Sequence, residues 1–163
     1  MICLKRIVIW VKKSFSHRII LEQRSVTELA MSEYQTILFS NAAFYAAFTG
    51  RDMVAMEEVW AERVEVCVIH PGWAPIYGRE GVLESWRGIL EASQSPEIRE
   101  RSPRVLINGA VGTVVCYEEI SGNFLIATNL FVKQSGRWRM FHHHAAPTNA
   151  RPFEDDATSD AIN

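Results

Sequence analysis

Cysteine is scarce in this sequence of 163 residues, which has only Cys3, Cys67 and Cys116. These three are far apart and odd in number, and they lack both the close pairing of a zinc site and the density of a disulfide framework. Cys67 and Cys116 lie in apolar, strand-like runs, where a cysteine is more often a small core residue than a nucleophile. We therefore predict a reducing, cytoplasmic environment and assign the thiols no chemistry.

The sequence also lacks an excess of one charge and any long apolar run. Seventeen Lys plus Arg against nineteen Asp plus Glu give a formal net charge of -2, so no overall basic field exists to gather the phosphates of nucleic acid. Before Met31, basic residues interrupt every apolar run well short of the roughly 20 residues that span a bilayer. The sequence predicts neither a nucleic-acid partner nor a membrane anchor.

The segments at the two ends differ from the middle of the chain. Residues 1–31 form a basic extension. It is either an amphipathic arm that contacts a membrane surface or, as we favour, a segment that precedes the true start of translation at Met31. Residues 149–163 are acidic and poor in apolar residues, which indicates a disordered tail. With 48% hydrophobic and 22% charged residues, the chain is expected to fold as one globular domain over residues 32–148.

Three helices are predicted before the main strands. Ser32 and Gln35 form a capping-box pattern, and apolar residues then recur every three or four positions until Gly50. Asp52 can cap a second helix that runs through Trp60. A third helix is predicted from Glu80 to Ala92, since Val82, Leu83, Trp86, Ile89 and Leu90 share one face.

The strands are predicted from β-branched runs separated by turn residues. One strand, Val64 to Ile69, ends at His70-Pro71-Gly72-Trp73, and four more follow, separated by turns that contain Gly or Asn: Ile98–Ile107, Val111–Ile120, Phe124–Lys133 and Arg137–Ala146. The fold class is therefore α+β, with a curved antiparallel sheet wrapped around the three N-terminal helices. Because both faces of this sheet are apolar, we expect a homodimer that covers the outer face.

Several local motifs share this order of elements with a known family. They are Trp60, His70-Pro71-Gly72, Gly78-Arg79-Glu80-Gly81, Gly136-Arg137-Trp138 and His142-His143-His144, followed by Pro147. Together they resemble the cone-shaped, cystatin-like SnoaL-like domains of the nuclear transport factor two, or ketosteroid isomerase-like, superfamily, near the association domain of calcium/calmodulin-dependent kinases. The resemblance implies a pocket between sheet and helices, usually in dimers, but it does not imply a single function.

Three residues are candidates for catalysis. In the ketosteroid isomerase relatives, the strand before the Pro-containing loop ends in an aspartate that moves a proton, and His70 stands there in this chain. Its imidazole is either a general base or a group that hydrogen-bonds a loop carbonyl. Asn129 lies near the position of the relatives' oxyanion-hole acid, where it meets either a ligand oxygen or another protein group. Tyr45 is the candidate hydroxyl donor.

Other residues are candidates for the pocket lining. Trp60, Trp73 and Trp86 could form its aromatic walls, although such residues are more often plain core. His142, His143 and His144 alternate across a strand, so at most two share a face, and two ligands are too few for a metal site. On this strand, the apolar residues Trp138 and Met140 favour an arrangement in which the even-numbered side chains point inward. Phe141 favours one in which the odd-numbered side chains do so. We predict neither metal nor cofactor.

Two functions agree with these observations. One is a small enzyme of isomerase or hydrolase type, in which His70 moves a proton of a partly apolar substrate while Asn129 and a tyrosine or histidine donor stabilise the oxyanion. The other is a ligand-binding or assembly module without turnover, which the absence of the usual aspartate and the apolar sheet favour.

Overall fold

The computed structural model of the protein describes residue 28 and residues 31–152. The chain divides at Gln35, within the first helix, into two compact units, and the described residues of the smaller unit are helical. The larger unit, Thr36–Asn163, contains every strand and both later helices of the described part of the chain. Most of the predicted basic extension and residues 153–163 of the predicted tail lie outside the described residues.

The three predicted helices are confirmed. Helix α1 covers residues 31–49, α2 covers Met53–Val59 and α3 covers Arg79–Glu91. The Asp52 carboxylate accepts a hydrogen bond from the backbone N–H of Ala55 at 3.0 Å, as expected of an N-cap. Ser32 does not cap α1, because residues 28 and 31 are already helical. The good helix formers Glu28, Leu29 and Ala30 precede it in the sequence. None of the described helices is long and apolar enough to cross a membrane.

Six strands form one curved, open sheet with the order β2-β1-β6-β5-β4-β3. The strands are β1 (Cys67–Ile69), β2 (Ile76–Tyr77), β3 (Arg99–Asn108), β4 (Val111–Ile120), β5 (Asn123–Gln134) and β6 (Arg137–Thr148). The predicted α+β class and the antiparallel β3 to β6 meander are confirmed. Two details differ: β1 pairs with β6 in parallel, and the short β2 was not predicted, because two residues carry no periodic pattern.

Tight turns set the register of the meander. Ser121 and Gly122 have φ values of 50° and 78°, and Ser135 and Gly136 have φ values of 50° and 80°. Two successive residues with positive φ are typical of the two-residue type I′ hairpin, whose twist matches that of the strands. The turns therefore fix which side chains of β4, β5 and β6 share a face.

A β-bulge at Phe141 resolves the parity that the sequence left open. Leu130 of β5 pairs with His142, whereas the next residue, Phe131, pairs with Met140, so Phe141 is the extra residue. Trp138 and Met140 are buried before the bulge, and His143 is buried after it. An added residue reverses the alternation of side chains along a strand. In β6, the even-numbered side chains therefore face inward before the bulge, and the odd-numbered ones face inward after it.

The core lies between the inner face of the sheet and the helices. Phe44 of α1 makes an edge contact with Trp86 of α3 at a centroid distance of 5.3 Å, and Phe48 contacts the same indole at 5.9 Å. Ile37 of α1 packs directly over Gly112 of β4, where an added Cβ would lie 2.7 Å from the Ile37 side chain. The absence of a side chain at residue 112 therefore allows α1 to approach the sheet.

Candidate functional site

Five polar side chains meet on the inner face of the sheet, in the middle of the apolar core. Asn41 and Tyr45 come from α1, Glu118 from β4, Asn129 from β5 and His143 from β6. We call them the inner polar cluster. All five are buried, with exposed fractions between 0% and 6%. Burial of so many polar groups is unfavourable unless they are paired with one another.

Secondary structure places each member of the inner polar cluster. Asn41 and Tyr45 are four residues apart and therefore share one face of α1. On the sheet, Asn129 lies opposite His143 of β6 in the β5–β6 register. Glu118 faces inward because it follows the buried residues Val114 and Cys116 at intervals of two along β4. Sequence alternation and hairpin register together bring the five residues into one cluster.

Hydrogen bonds connect the whole cluster. Asn129 Nδ2 donates to Asn41 Oδ1 at 2.7 Å and lies 3.3 Å from the Tyr45 hydroxyl. The Tyr45 hydroxyl donates to Glu118 Oε1 at 2.9 Å and also lies 3.2 Å from Cys116 Sγ. Because both donor and acceptor of the Asn129 amide are used within the protein, Asn129 does not present a free group to a ligand.

The hydrogen bonds also determine the tautomer of His143. Asn129 uses its amide N–H groups on Asn41 and Tyr45, so its carbonyl Oδ1 faces His143 Nδ1 at 2.6 Å. A carbonyl oxygen only accepts, so His143 Nδ1 carries the proton. Burial lowers the pKa of His143 to about 3, so this ring is neutral near pH 7 and its Nε2 atom is an unprotonated acceptor.

Glu118 is the acid of the cluster. Burial raises the pKa of its carboxyl to about 7, despite the opposing hydrogen bond from Tyr45. Its Oε1 atom lies 4.0 Å from His143 Nε2. Burial also raises the pKa of Tyr45 well above 10 and that of Cys116 to about 12. The phenol and the thiol therefore keep their protons at neutral pH, and Glu118 is the group whose charge can change there.

His70 lies at the end of β1 and is also buried, with 4% exposure. Its Nε2 atom lies 3.0 Å from Ser85 Oγ, and the Ser85 hydroxyl donates its single proton to the Val82 carbonyl at 2.7 Å. His70 Nε2 must therefore be the donor, which leaves Nδ1 of the neutral ring as the basic atom. Burial lowers the pKa of His70 to about 4.

The three predicted pocket tryptophans have different positions. Trp86 is buried and contacts the rings of His70 at 4.5 Å and His143 at 5.7 Å, so it lies between the two imidazoles. Trp73 is 53% exposed and packs edge-on against His70 at 4.9 Å. Trp60 is fully buried in the core, away from these contacts. The indole N–H groups of Trp60 and Trp86 have no hydrogen-bond partner among the described residues.

His142 and His144 do not join the inner polar cluster. His142 is half-buried and His144 is exposed, and both lie on the face opposite His143. Among residue 28 and residues 31–152, no group of three or more His, Cys, Asp or Glu side chains forms an arrangement that could hold a metal ion. The structure thus brings His143 of this triplet together with Asn129 and Tyr45, and it places His70 on the other side of Trp86.

Comparison with known proteins assigns the fold to a family. Residues 37–149 match the SnoaL-like domain. The chain belongs to the SnoaL-like family. This confirms the resemblance that the sequence motifs indicated.

Relatives of this SnoaL-like domain differ in their descriptions. F-box protein SKIP8 from Arabidopsis thaliana is 28% identical over 133 residues, which cover 77% of this chain and 58% of that protein. The chain therefore spans less than two thirds of that relative. A candidate dehydratase of the NTF2-like family from Streptomyces avermitilis has a TM-score of 0.68 and 26% identity, with 74% of this chain and 99% of that chain covered.

Two further solved structures resemble the domain. A candidate calcium/calmodulin-dependent protein kinase type II association domain from Thiobacillus denitrificans has a TM-score of 0.61 and 29% identity, covering 67% of this chain and 92% of that chain. An NTF2-like protein with a cystatin-like fold from Novosphingobium aromaticivorans has a TM-score of 0.60 at 18% identity, covering 77% of this chain and 89% of that chain. The second likeness concerns the fold alone.

Three grooves of the SnoaL-like domain lie away from its inner polar cluster. One groove of about 400 Å³ is bordered by α1, α2 and the start of β6, with Phe39, Val59 and Trp138 among its lining residues. Two others, of about 620 Å³ and 270 Å³, lie at the start of α3 and beside the β5–β6 turn. None of these three is lined by His70 or by a member of the cluster. The five cluster residues have exposed fractions of 6% or less, so they have little contact with solvent in this conformation.

Part of this site is predictable from the sequence. Asn129, Tyr45, His70 and His143 were singled out. The neighbouring glutamates of β4 point to opposite faces: Glu119 pairs with Arg101 at 2.7 Å, and Glu118 is buried inside. Asn41 was missed as a site residue, and so was Glu100 of β3, whose carboxylate accepts a hydrogen bond from Asn41 Nδ2. The signal for Asn41 was its polar amide on the apolar face of α1.

Proposed function

We propose that this SnoaL-like domain is a small-molecule enzyme that moves a proton within a partly apolar substrate, in an isomerisation or an elimination of water. The observation that carries the proposal is the buried pair of Glu118, whose pKa is raised to about 7, and His143, whose Nε2 atom is unprotonated. A neutral acid and a neutral base that lie close together in an apolar environment can give and take a proton near pH 7.

The acid and base groups suit the chemistry of a carbon next to a carbonyl group. A base, His70 Nδ1 or His143 Nε2, removes the proton, and the electron pair of the C–H bond moves toward the carbonyl oxygen. The Tyr45 hydroxyl and protonated Glu118 are the available donors for the negative charge that develops there. Return of the proton to a different carbon gives an isomer, whereas its transfer to a departing hydroxyl releases water.

Two further observations support a ligand at this position. The Trp86 ring contacts both imidazoles, and its buried indole N–H lacks a hydrogen-bond partner among the described residues, so a ligand oxygen would satisfy it. The structural relative from Streptomyces avermitilis is described as a candidate dehydratase of the NTF2-like family. Because the cluster is buried, entry of a substrate requires side chains to move, and Trp73, which is 53% exposed and packs against His70, is the candidate that we propose.

The proposal is tested with a panel of apolar β-hydroxy ketones and unsaturated ketones, whose isomerisation or dehydration changes their ultraviolet absorbance. We expect Glu118→Gln, and whichever of His143→Gln and His70→Gln removes the base, to reduce turnover by about 10²- to 10⁴-fold, the usual contribution of a positioned acid or base, while ligand-observed NMR shows that binding persists. Glu119→Gln, one residue along β4 and pointing outward, is the matched control. Turnover in Glu118→Gln and in both histidine variants equal to that of the control would contradict the proposal.

The outer face of the sheet favours a second function, an assembly module. Val115, Ile126, Leu130 and Val132 are apolar, half-buried residues of β4 and β5 on this face. A face of this kind could be covered by a second copy of the chain in a homodimer. The relative from Thiobacillus denitrificans is described as a candidate kinase association domain, which also favours assembly.

Oligomeric state tests the assembly module. Sedimentation equilibrium is expected to show a dimer for the natural sequence and a monomer for Leu130→Lys, because a buried ammonium on an apolar interface is strongly unfavourable. Arg104→Lys, an exposed substitution on β3 that conserves the charge, is the control and is expected to remain dimeric. A monomeric natural protein would contradict this second function and leave the first untouched.

A further inference from the structure

One charged residue outside the inner polar cluster is joined to it by a hydrogen bond. Glu100 of β3 is half-buried, and its Oε1 atom accepts a hydrogen bond from Asn41 Nδ2. We propose that Glu100 is a positioning residue, which fixes the orientation of two buried amides and thereby holds the proton of His143 on Nδ1 and leaves Nε2 free as the base. The inference rests on the proposed function for the use of that base, but the tautomer itself can be observed without any reaction.

The first step depends on the carboxylate of Glu100. An ionised carboxylate has no donor, so the side chain of Asn41 must direct its NH₂ group toward Glu100 and its carbonyl oxygen away from it. Asn41 is fully buried, so water does not compete for either end of the amide. A 180° flip of Asn41 would place two acceptors against each other. The charge of Glu100 therefore selects one of the two amide orientations.

The second step passes this orientation to Asn129. The carbonyl oxygen of Asn41 accepts from Asn129 Nδ2 at 2.7 Å, and the Asn129 carbonyl oxygen faces His143 Nδ1 at 2.6 Å. Each amide has a donor at one end and an acceptor at the other, so the orientation of Asn41 fixes the orientation of Asn129. The series of hydrogen bonds ends at the His143 imidazole, where the orientation of Asn129 determines which ring nitrogen carries the hydrogen.

Glu100 also acts directly on the acid of the site. In the β3–β4 register, Glu100 lies opposite Glu118. Like charges directly opposite each other on neighbouring strands are unfavourable, so an ionised Glu100 favours a protonated Glu118. This charge is also one of the causes that raise the pKa of Glu118, after burial. One carboxylate thus promotes both states that proton transfer requires, a protonated acid at residue 118 and a free Nε2 at residue 143.

Nitrogen-15 NMR of the histidine side chains tests the inference on the full chain. In the natural protein, we expect Nδ1 of His143 at the chemical shift of a protonated ring nitrogen and Nε2 at that of a bare one. Glu100→Ala removes the acceptor, so both nitrogens are expected to move toward the average of the two tautomers. Glu100→Gln presents both a donor and an acceptor and therefore no longer selects one orientation of Asn41, so it is expected to move the two nitrogens in the same direction as Glu100→Ala. Asn41→Ala interrupts the same series of hydrogen bonds at a different residue. It therefore tests the inference independently if a Glu100 variant fails to fold.

The charge of Glu100 has a separate readout. The carboxyl stretch of Glu118 in infrared difference spectra is expected to titrate at lower pH in Glu100→Gln than in the natural protein, because the negative charge opposite Glu118 is removed. Glu119→Ala, which removes a carboxylate from β4 without touching the cluster, is the control and is expected to change neither signal.

Three results would overturn the positioning role. The first is a natural protein whose His143 carries its proton on Nε2, and the second is an unchanged tautomer in both Glu100→Ala and Asn41→Ala. The third is the same tautomer change in Glu119→Ala, since that would indicate a general structural effect. None of these results requires or excludes turnover, because His70 can still serve as the base. Conversely, the expected tautomer without turnover on any substrate would contradict only the proposed function.

Discussion

His143 Nε2 lies 4.0 Å from Glu118 Oε1, and both side chains are buried. The two residues belong to β6 and β4, which are separated by β5. The distance is too long for a hydrogen bond, so the acid and the base are neighbours that do not share a proton in this state. A small movement on ligand binding could bring the two atoms within hydrogen-bond distance. In the present state each group holds or releases its own proton, so the protonation of each can be measured separately.

The raised pKa of Glu118 predicts a specific dependence of stability on pH. The folded protein holds the Glu118 proton up to about pH 7, whereas an ordinary glutamate has a pKa of 4.5. The stability from the neutral acid is fully present below pH 4.5 and is lost as the pH rises through 7, an effect of about 3 kcal/mol. Urea denaturation from pH 4 to 8 is expected to show this loss in the natural protein and not in Glu118→Gln. Parallel curves for the two proteins would contradict the prediction.

The lowered pKa of His70 predicts the opposite sign. Burial lowers this pKa from 6.5 to about 4, so the unfolded chain binds a proton between these values and the folded protein does not. The stability from neutral His70 is present above pH 6.5 and is lost as the pH falls through 4. His70→Gln, whose side-chain N–H can still donate to Ser85, is expected to flatten this part of the curve. His144→Gln, at an exposed position, controls for removal of an imidazole.

Two phenylalanines of α1 provide a matched test of the core. Phe44 is 1% exposed and contacts the rings of Trp86 and His143, whereas Phe39 is 77% exposed. Phe44→Ala is expected to lower the free energy of unfolding by about 3 to 5 kcal/mol, because it removes a large buried ring and leaves a cavity. Phe39→Ala is expected to change it by less than about 0.5 kcal/mol. Thermal and urea denaturation measure both, and similar losses would show that the helix face is assigned wrongly.

Two glycines are expected to respond in opposite ways to alanine. Gly88 lies within α3, and an added Cβ would have no heavy atom within 4 Å. Gly88→Ala is therefore expected to stabilise the protein by about 0.5 to 1 kcal/mol through helix propensity. Gly136 has a φ of 80° in the β5–β6 turn, so Gly136→Ala is expected to destabilise it by about 1 to 2 kcal/mol. A stabilised Gly136→Ala protein would argue against the type I′ turn.

Most secondary structure was predictable because its causes are local. The Asp52 cap, the apolar face of α3 and the Gly-containing turns each depend on residues close together in sequence, and the structure confirms the elements that they predict. The parallel pairing of β1 with β6 was not predictable in this way. It joins residues more than 70 positions apart, and a strand of three residues has too short a pattern to identify its partner.

The amino-acid sequence alone determined the α+β class, the order of helices and meander, and the polar residues that interrupt apolar surfaces at Tyr45, His70 and Asn129. Only the tertiary structure decided how these residues combine. The bulge at Phe141 turns His143 inward, and the β3–β4 register places Glu100 opposite Glu118. Local propensities act over a few residues, whereas the state of a buried acid or base depends on burial and on partners that distant parts of the chain supply.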